Sequence, residues 1–309
     1  WQVKARSLAE IQEGLELRRE RVATRLNAAR GSGRDTTALE ALDARLQEAI
    51  DDLGDPERAC AAPLTDLEAP EDRMWARLEK GARPKTPCIV APDARYRGAE
   101  NQLYRVEIHR GGTADQATFK WSRDNGSVLT RWLARNGREL HVENPRGFSA
   151  DSCVELSDDA RDLRGEPGEL VRVAKVEEST LTLDADSATI AATLALSAER
   201  HSKVRGWDQD GDGLAAGIPL LGTNPQAWRD LEDGIQLHFD PEGEYRSGDY
   251  WLIPARVAGG PEGGIDWPTG AALPASRIEH HYAPLGIVGW SSQDRRTVEV
   301  YDDLAAVAR

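Results

Sequence analysis

The 309-residue chain lacks two features that would assign it to a common class of binding or membrane protein. It has no excess of basic residues, since 39 Lys and Arg stand against 53 Asp and Glu and the formal net charge is -14. This charge argues against a nucleic-acid backbone or an anionic membrane as the main partner. It also has no run of about 18 apolar residues, which is the length that a membrane-spanning helix needs. We therefore predict no nucleic-acid partner and no membrane span.

Cysteine and catalytic motifs are also scarce. Cys60, Cys88 and Cys153 are too widely spaced for a disulfide scaffold or a zinc site, so we expect buried or free thiols. A bridge between Cys60 and Cys88 is the alternative if the protein is exported. The chain contains no G-x-S-x-G, no H-E-x-x-H, no phosphate-binding glycine loop and no dinucleotide fingerprint. We therefore expect a protein that is not an enzyme.

Residues 7–54 carry the pattern of two helices. Ser7-Leu8-Ala9-Glu10 and Thr37-Ala38-Leu39-Glu40 both read as capping boxes, each at the start of a run with apolar residues at steps of three and four. The pattern predicts an antiparallel helical hairpin with one narrow apolar seam. This seam either closes the hairpin on itself or binds a partner, and its candidate residues are Leu15, Val22, Leu26, Leu39 and Leu46.

From residue 96 the apolar period changes to two, as in LYRVEIH (103–109), which is typical of β-strands. The turn signal Asp124-Asn125-Gly126 predicts a hairpin between ATFKWS (117–122) and SVLTRW (127–132). Short strands between Ser152 and Asp184 predict a small SH3-like barrel at about 150–185. The predicted fold is therefore mainly β with an N-terminal α-helical hairpin (α+β), in which an antiparallel β body contains the barrel subdomain.

The predicted domain organisation has four parts. Residues 1–6 are expected to end a β segment that continues from an upstream part, and 7–54 form the hairpin. Residues 55–95 are a connector with one short helix around Asp72 to Lys80, and 96–309 form the β body.

One acidic stretch, WDQDGDG (207–213), has metal-ligand spacing. Asp208, Asp210 and Asp212 stand two residues apart, as at the start of an EF-hand calcium loop. The twelfth position holds Pro219 where an EF-hand has a bidentate Glu, so a complete EF-hand is excluded. Two alternatives stay open, an acidic surface turn and a shorter Ca²⁺ loop that a distant carboxylate completes. The candidates for that carboxylate are Asp230, Glu232 and Asp233.

Three further groups of residues have a functional and a structural interpretation. Glu107 and His109 share a strand face and could act as an acid-base pair, although alternating charge on a solvated face gives the same pattern. Glu279-His280-His281 is unsuited to a single metal, because adjacent strand residues point to opposite faces. Trp228 and Trp267 lie in C-terminal loops and are candidate glycan-binding residues, with core packing as the alternative.

Five segments resemble a bacterial domain family of unknown function. They are YRGAENQLYRVEIH (96–109), ATFKWSRDNGSV (117–128), LEDGIQLHF (231–239), YRSGDYWLIPAR (245–256) and HHYAPLGIV (280–288). The family is encoded near phage-tail-like and contractile-injection genes, and the resemblance carries no catalytic residues with it. It implies a structural subunit of a tail-like particle, in a baseplate, spike or fibre.

The resemblance also bears on partners and location. It implies that the partners are other particle subunits, in a homo-oligomer or a large assembly. Such a protein is particle-associated. The resemblance leaves two alternatives for its location, assembly in the bacterial cytoplasm and exposure outside the cell. The alternative function is a carbohydrate-binding or cell-surface adhesion module, with Ca²⁺ as the one candidate cofactor.

Overall fold

The computed structural model describes most of the chain between residues 7 and 299. The described residues are 7–31, 33, 35–54, 72–79, 96–184, 200–209, 216–257, 264–278, 287–289 and 297–299. Several predictions fall outside them, namely those for residues 1–6, most of the connector 55–95, Cys60, Cys88, Asp210, Asp212 and Glu279-His280-His281.

The secondary structure is mainly β. The helices are α1 (Leu8–Gly31), α2 (Thr37–Asp52) and α3 (Asp159–Arg164). The strands are β1 (Arg73–Leu78), β2 (Gln102–Arg110), β3 (Gly112–Thr113), β4 (Thr118–Ser122), β5 (Leu129–Asn136), β6 (Glu139–Val142), β7 (Cys153–Ser157), β8 (Glu169–Glu177), β9 (Thr180–Leu183), β10 (Lys203–Trp207), β11 (Ile218–Pro219), β12 (Arg229–Asp230), β13 (Ile235–Phe239), β14 (Glu244–Tyr245), β15 (Tyr250–Ala255), β16 (Leu273–Pro274), β17 (Ile287–Gly289) and β18 (Thr297–Glu299).

The chain divides into two compact units, Trp1–Ala69 with Glu279–Arg309, and Pro70–Ile278. In the first unit α1 and α2 form the predicted helical pair, and β17 pairs with β18 in antiparallel fashion. No helix in the described part of the chain is long and apolar enough to cross a membrane.

The two helix starts differ in their capping. At α1 the capping box is confirmed, because Glu10 N–H donates to Ser7 Oγ at 3.1 Å and Ser7 N–H donates to Glu10 Oε2 at 2.8 Å. At α2 the predicted box on Thr37 is wrong. The N-cap residue is Thr36, whose side chain makes no capping bond, and Asp35 Oδ1 accepts from the Thr37 N–H at 3.0 Å and from the Thr37 hydroxyl at 2.7 Å.

The second unit contains two four-stranded sheets and a closed barrel. The sheet orders are β12-β13-β1-β16 and β11-β4-β2-β15, and the strand pairs within both are antiparallel. The barrel has the order β10-β5-β6-β9-β8-β7 and closes because β10 pairs with both β5 and β7. The predicted mainly β, α+β fold is therefore confirmed. The barrel is larger than predicted, since β5, β6 and β10 lie outside residues 150–185.

Two hydrophobic cores occupy this unit. The two sheets share one core, to which β1 contributes Met74 and Ala76 and β2 contributes Tyr104, Val106 and Ile108. The barrel interior is a separate core of aliphatic side chains with Trp132 and Phe148. Each sheet thus has one face in the shared core and a second face that lies outside this core.

The predicted hairpin at residues 117–132 is wrong. The tight turn is present, since Asn125 and Gly126 have φ values of 57° and 62°. The strands on its two sides separate, however, because β4 pairs with β2 and β11 whereas β5 pairs with β6 and β10. The turn is therefore the point at which the chain leaves the sheet for the barrel.

The predicted helix at Asp72 to Lys80 is also wrong, because residues 73–78 form β1. This segment consists largely of good helix formers, but it also alternates, with Met74 and Ala76 facing the core and Trp75 and Arg77 facing outward. Antiparallel pairing with β13 and β16 supplies hydrogen bonds that a local pattern does not reveal.

Candidate functional site

A group of charged side chains lies between the barrel and the sheet β11-β4-β2-β15. On β2, Tyr104, Val106 and Ile108 enter the core, so the intervening residues lie on the opposite face. Lys120 on β4 stands directly opposite Glu107 on β2, and β7 contributes a glutamate. We define the charged cluster as Arg105, Glu107, His109, Lys120 and Glu155, all of which are buried or half-buried.

Lys120 is the centre of the charged cluster. Its Nζ donates to both oxygens of Glu155 at 2.6 Å and lies 3.1 Å from Glu107 Oε1. Arg105 Nε donates to Glu107 Oε2 at 2.6 Å. Two cations and two carboxylates therefore balance each other within a site where the Lys120 side chain is 4% exposed.

The pKa values follow from this arrangement. Burial alone raises the pKa of Glu155, but the Lys120 ammonium outweighs burial and holds that pKa at about 2. Burial likewise lowers the pKa of Lys120, and the two glutamates outweigh it, so the pKa lies above its ordinary value. Both groups are therefore ionised near neutral pH.

Glu155 has two further donors. The backbone N–H of Gly168 and the indole Nε1–H of Trp207 each donate to it at 3.0 Å. The Lys120 ammonium also lies 4.6 Å from the centroid of the Trp207 ring, within cation-π range. Residues of the sheet, the barrel and the loop before β8 thus meet on one carboxylate.

His109 is the fully enclosed member of the charged cluster. Its Nδ1 lies 3.9 Å from Glu155 Oε1, and both ring nitrogens are buried without a hydrogen-bond partner. Burial, together with the charge of Lys120, lowers the pKa of His109 to about 3. The predicted acid-base partner, Glu107, is instead paired with Lys120 and Arg105, so Glu107 and His109 share a strand face but are not paired with each other.

Cys153 lies beside the charged cluster on β7. It is a buried free thiol, as predicted, and packs with Leu170 and Trp207. Burial, with the nearby charge of Glu155, raises the pKa of Cys153 to about 12. The thiol is therefore protonated near neutral pH and unreactive as a nucleophile.

A second buried group, the acidic pair, consists of Asp72 before β1 and Asp249 before β15. Arg277 donates to Asp72 Oδ1, and its Nη2 lies 3.5 Å from Asp249 Oδ2. Burial raises the pKa of Asp249 to about 7 against the opposing charge of Arg277, and the charge of Asp72 adds to the rise. Burial also raises the pKa of Asp72. One guanidinium thus faces two carboxyl groups.

The first residue of the predicted calcium loop has another partner. Asp208 accepts from the backbone N–H of Arg123 at 2.7 Å and from its Nη1 at 2.9 Å. Glu232, one of the carboxylates considered for that loop, accepts from Arg123 Nε at 2.6 Å. Among the described residues, no three His, Cys, Asp or Glu side chains are grouped in a way that could hold a metal. Asp210 and Asp212 lie outside the described residues, and the Ca²⁺ site stays a prediction.

The seam of the helical hairpin is closed. Leu15, Val22, Leu26 and Leu46 are buried in one cluster, and Leu39 packs against it. Leu15 and Leu46 are fully enclosed, at 0% exposure. A partner that used this seam would have to separate the helices, so the outer charged faces are the accessible surface of the hairpin.

Three aromatic rings form a row on the outer face of the sheet β12-β13-β1-β16. Trp75 and His238 are cross-strand neighbours with ring centroids 5.3 Å apart, and His238 and Trp228 are 5.6 Å apart. We call Trp75, His238 and Trp228 the ring row. All three side chains are half-buried, and the Arg77 guanidinium lies 3.9 Å from the centroid of Trp228. Trp228, a candidate glycan-binding residue, therefore has aromatic neighbours.

Trp267, the other candidate glycan-binding residue, is instead packed in the core. It is 9% exposed and belongs to the shared core of the two sheets. Its indole Nε1–H donates to the carbonyl of Ala271 at 3.1 Å, which satisfies its polar group. Its ring is therefore used in packing.

The sequence pattern singled out Glu107, His109 and Trp228 but not the residues that they meet in these sites. Trp75 was hidden by the helix predicted around it, although outward alternation with Arg77 was a usable signal. Lys120 and Glu155 are separated by 35 residues, and nothing in the local pattern joins them. The acidic pair likewise joins residues before β1 and β15, which only the tertiary fold brings together.

The chain was compared with known proteins. A family of unknown function, DUF6519, matches residues 66–308, which include every residue of the charged cluster and the ring row. Neither the search of curated proteins nor the search of solved structures found a match. Because the match covers well over half of the chain, the chain belongs to the DUF6519 family of unknown function.

Proposed function

We propose that the protein is a non-enzymatic structural subunit of a phage-tail-like or contractile injection particle, in a baseplate, spike or fibre, and that it acts through protein-protein assembly. The observation that supports this proposal is the charged cluster. Within it, the ion pair between Lys120 and Glu155 joins the sheet to the barrel, and Glu107 and Arg105 complete the pairing on the sheet side.

A buried ion pair is a costly way to hold two parts of a protein together, because both charges lose their hydration. It is directional, however, and a buried charge that loses its partner is strongly unfavourable. Lys120 links β4 of the sheet to β7 of the barrel, and Trp207 and Gly168 add donors from the barrel and the loop before β8. A rigid joint of this kind suits a protein that transmits force or sets geometry.

The helical hairpin supplies a different kind of surface. Its apolar seam is internal, so its outer faces carry charged pairs such as Arg19 with Asp43 at 3.0 Å and Arg30 with Glu40 at 2.9 Å. Exposed pairs contribute little to stability but set partner choice and orientation in helical assemblies. The proposal assigns partner contact to these faces.

The test is particle association in the bacterium that encodes the protein. The chain carries an affinity tag, tail-like particles are purified by sedimentation, and in-particle crosslinks are mapped by mass spectrometry. We expect the protein in the particle fraction with crosslinks from the hairpin to a neighbouring subunit. A protein that stays out of that fraction, and whose deletion leaves intact particles, would overturn the proposal.

A carbohydrate-binding or cell-surface adhesion module is the second candidate. The ring row favours it, because flat aromatic rings beside polar side chains are a common platform for small polar ligands. Ca²⁺ would assist through the loop that begins at Asp208. Retention on a glycan array that a chelator abolishes supports the calcium-assisted form, and retention that a chelator leaves unchanged supports binding without the ion.

A further inference from the structure

We propose that the ring row and the polar line beside it form a binding site for a neutral oligosaccharide. The inference rests on the second candidate function, and it names the site and the ligand class. Its basis is the arrangement of side chains on the outer face of the sheet β12-β13-β1-β16.

Strand alternation places the site. Met74, Ala76, Leu237 and Phe239 enter the shared core, so the residues between them face outward. Trp75 pairs with His238 and Arg77 pairs with Gln236 on this outward face. The ring row is therefore held by two paired strands, and Trp228 completes it from the segment just before β12.

A line of hydrogen-bonded polar side chains runs beside the rings. Arg77 Nε donates to Gln236 Oε1 at 2.9 Å, and Gln236 Nε2 donates to Asp230 Oδ1 at 2.7 Å. The guanidinium of Arg77 also lies over the Trp228 ring, and this contact fixes the plane of the guanidinium. A planar guanidinium, an amide and a carboxylate in one fixed line offer donors and acceptors at the edge of an apolar surface.

The chemistry of this surface selects a sugar. A pyranose has an apolar C–H face that packs on an aromatic ring and hydroxyl groups at its rim that bond to such side chains. Nucleic-acid bases also stack on aromatic rows, but their phosphates need a basic groove. The chain has a net charge of -14, and beside the rings Arg77 is offset by Asp230, which disfavours polyanions and favours a neutral ligand.

The experiment uses the full chain with a panel of neutral hexasaccharides of glucose, N-acetylglucosamine and mannose, and heparin as the polyanionic arm. Isothermal titration measures binding by the wild type and by Trp75→Ala, Trp75→Phe and Trp228→Ala. Leu133→Ala is the matched control, since Leu133 is a 49% exposed apolar residue on the barrel. Near-UV circular dichroism checks the fold of each variant.

We expect the wild type to bind at least one neutral hexasaccharide and not heparin. Each Trp→Ala change weakens that binding by about tenfold, Trp75→Phe by less, and Leu133→Ala leaves it unchanged. Binding that persists in both folded Trp→Ala variants overturns the site and leaves the adhesion function standing. A wild type that binds none of these sugars also overturns the site, whereas the adhesion function falls only if the glycan array shows no retention, and neither result affects particle association.

Discussion

Within the charged cluster, Lys120 is the residue that pairs with both glutamates. Its ammonium is the shared partner of Glu155 and Glu107, and the side chains of all three are at most 13% exposed. Its replacement therefore leaves Glu155 buried without its main counter-charge, so that the desolvation of this carboxylate is no longer offset, and leaves Glu107 paired with Arg105 alone.

We predict that Lys120→Met lowers the free energy of unfolding by about 3–5 kcal/mol. Urea unfolding followed by tryptophan fluorescence measures the loss. Lys175→Met is the matched control, because Lys175 lies 2.6 Å from Glu177 in a pair that is about 60% exposed. This control should lose less than about 1 kcal/mol.

A double variant sharpens the test. Lys120→Met combined with Glu155→Gln removes the carboxylate that Lys120→Met leaves unpaired, so the double variant should be less destabilised than the sum of the single changes. Equal losses in Lys120→Met and Lys175→Met would show that the buried joint contributes no more than a surface pair.

For single residues, the sequence predicted which side chains share a strand face but not which of them are buried. The face shared by Glu107 and His109 followed from strand alternation and is confirmed. Their burial was not predictable, because the second face of β2 is covered by a barrel whose strands are remote in sequence. The five residues of β7 are all buried, with Val154 and Leu156 in the barrel core and Glu155 in contact with Lys120 of the sheet.

Among the connecting elements, the loop before β8 approaches β7 closely. A Cβ atom on Gly168 would lie 2.5 Å from Glu155 Cγ and 2.7 Å from the Leu156 carbonyl oxygen. The close approach lets the Gly168 N–H donate to the carboxylate that Lys120 binds. The glycine is therefore required for contact between the loop and the charged cluster.

We predict that Gly168→Ala destabilises the protein by about 1–3 kcal/mol, because the loop must move away from β7. Gly222→Ala is the control, since the nearest atom to its Cβ would be the flexible tip of Arg229 at 3.3 Å. Thermal unfolding of both variants checks the difference. A Gly168→Ala variant as stable as Gly222→Ala would show that the approach is not tight.

Element boundaries show where a local pattern is sufficient. The α1 capping box was predictable, because its hydrogen bonds join residues three apart. The course of β5 was not, since the tight turn at Asn125 and Gly126 suits a hairpin and an exit from a sheet equally well. Pairing with β6 and β10 decides the outcome, and β10 lies some 70 residues downstream.

For the molecule as a whole, the acidic pair should determine part of the pH dependence of stability. The unfolded pKa of an aspartate is about 3.9, and the folded pKa of Asp249 is about 7. Between these values the native state holds a proton that the unfolded state releases. The stability that this group contributes is therefore complete below about pH 4 and is lost as the pH rises through about 7.

We predict that Asp249→Asn removes this dependence. The free energy of unfolding of the variant minus that of the wild type should increase as the pH rises from about 4 to about 7. Arg277 and Arg246 oppose the effect and Asp72 adds to it. Asp115→Asn serves as the control, because it makes the same chemical change at an exposed position. A constant difference for Asp249→Asn would contradict the prediction.

The place at which the chain leaves the sheet for the barrel determines which part of the sequence could be exchanged without altering the sheet. The chain leaves the sheet after β4 and comes back at Asp208, whose N–H donates to the Trp121 carbonyl at 2.9 Å. Entry and exit are thus tied together, and the barrel strands β5 to β10 form a detour that begins and ends at one place. A different segment could replace the barrel while β4 keeps its register with β2 and β11, provided that the new segment places a carboxylate next to Lys120.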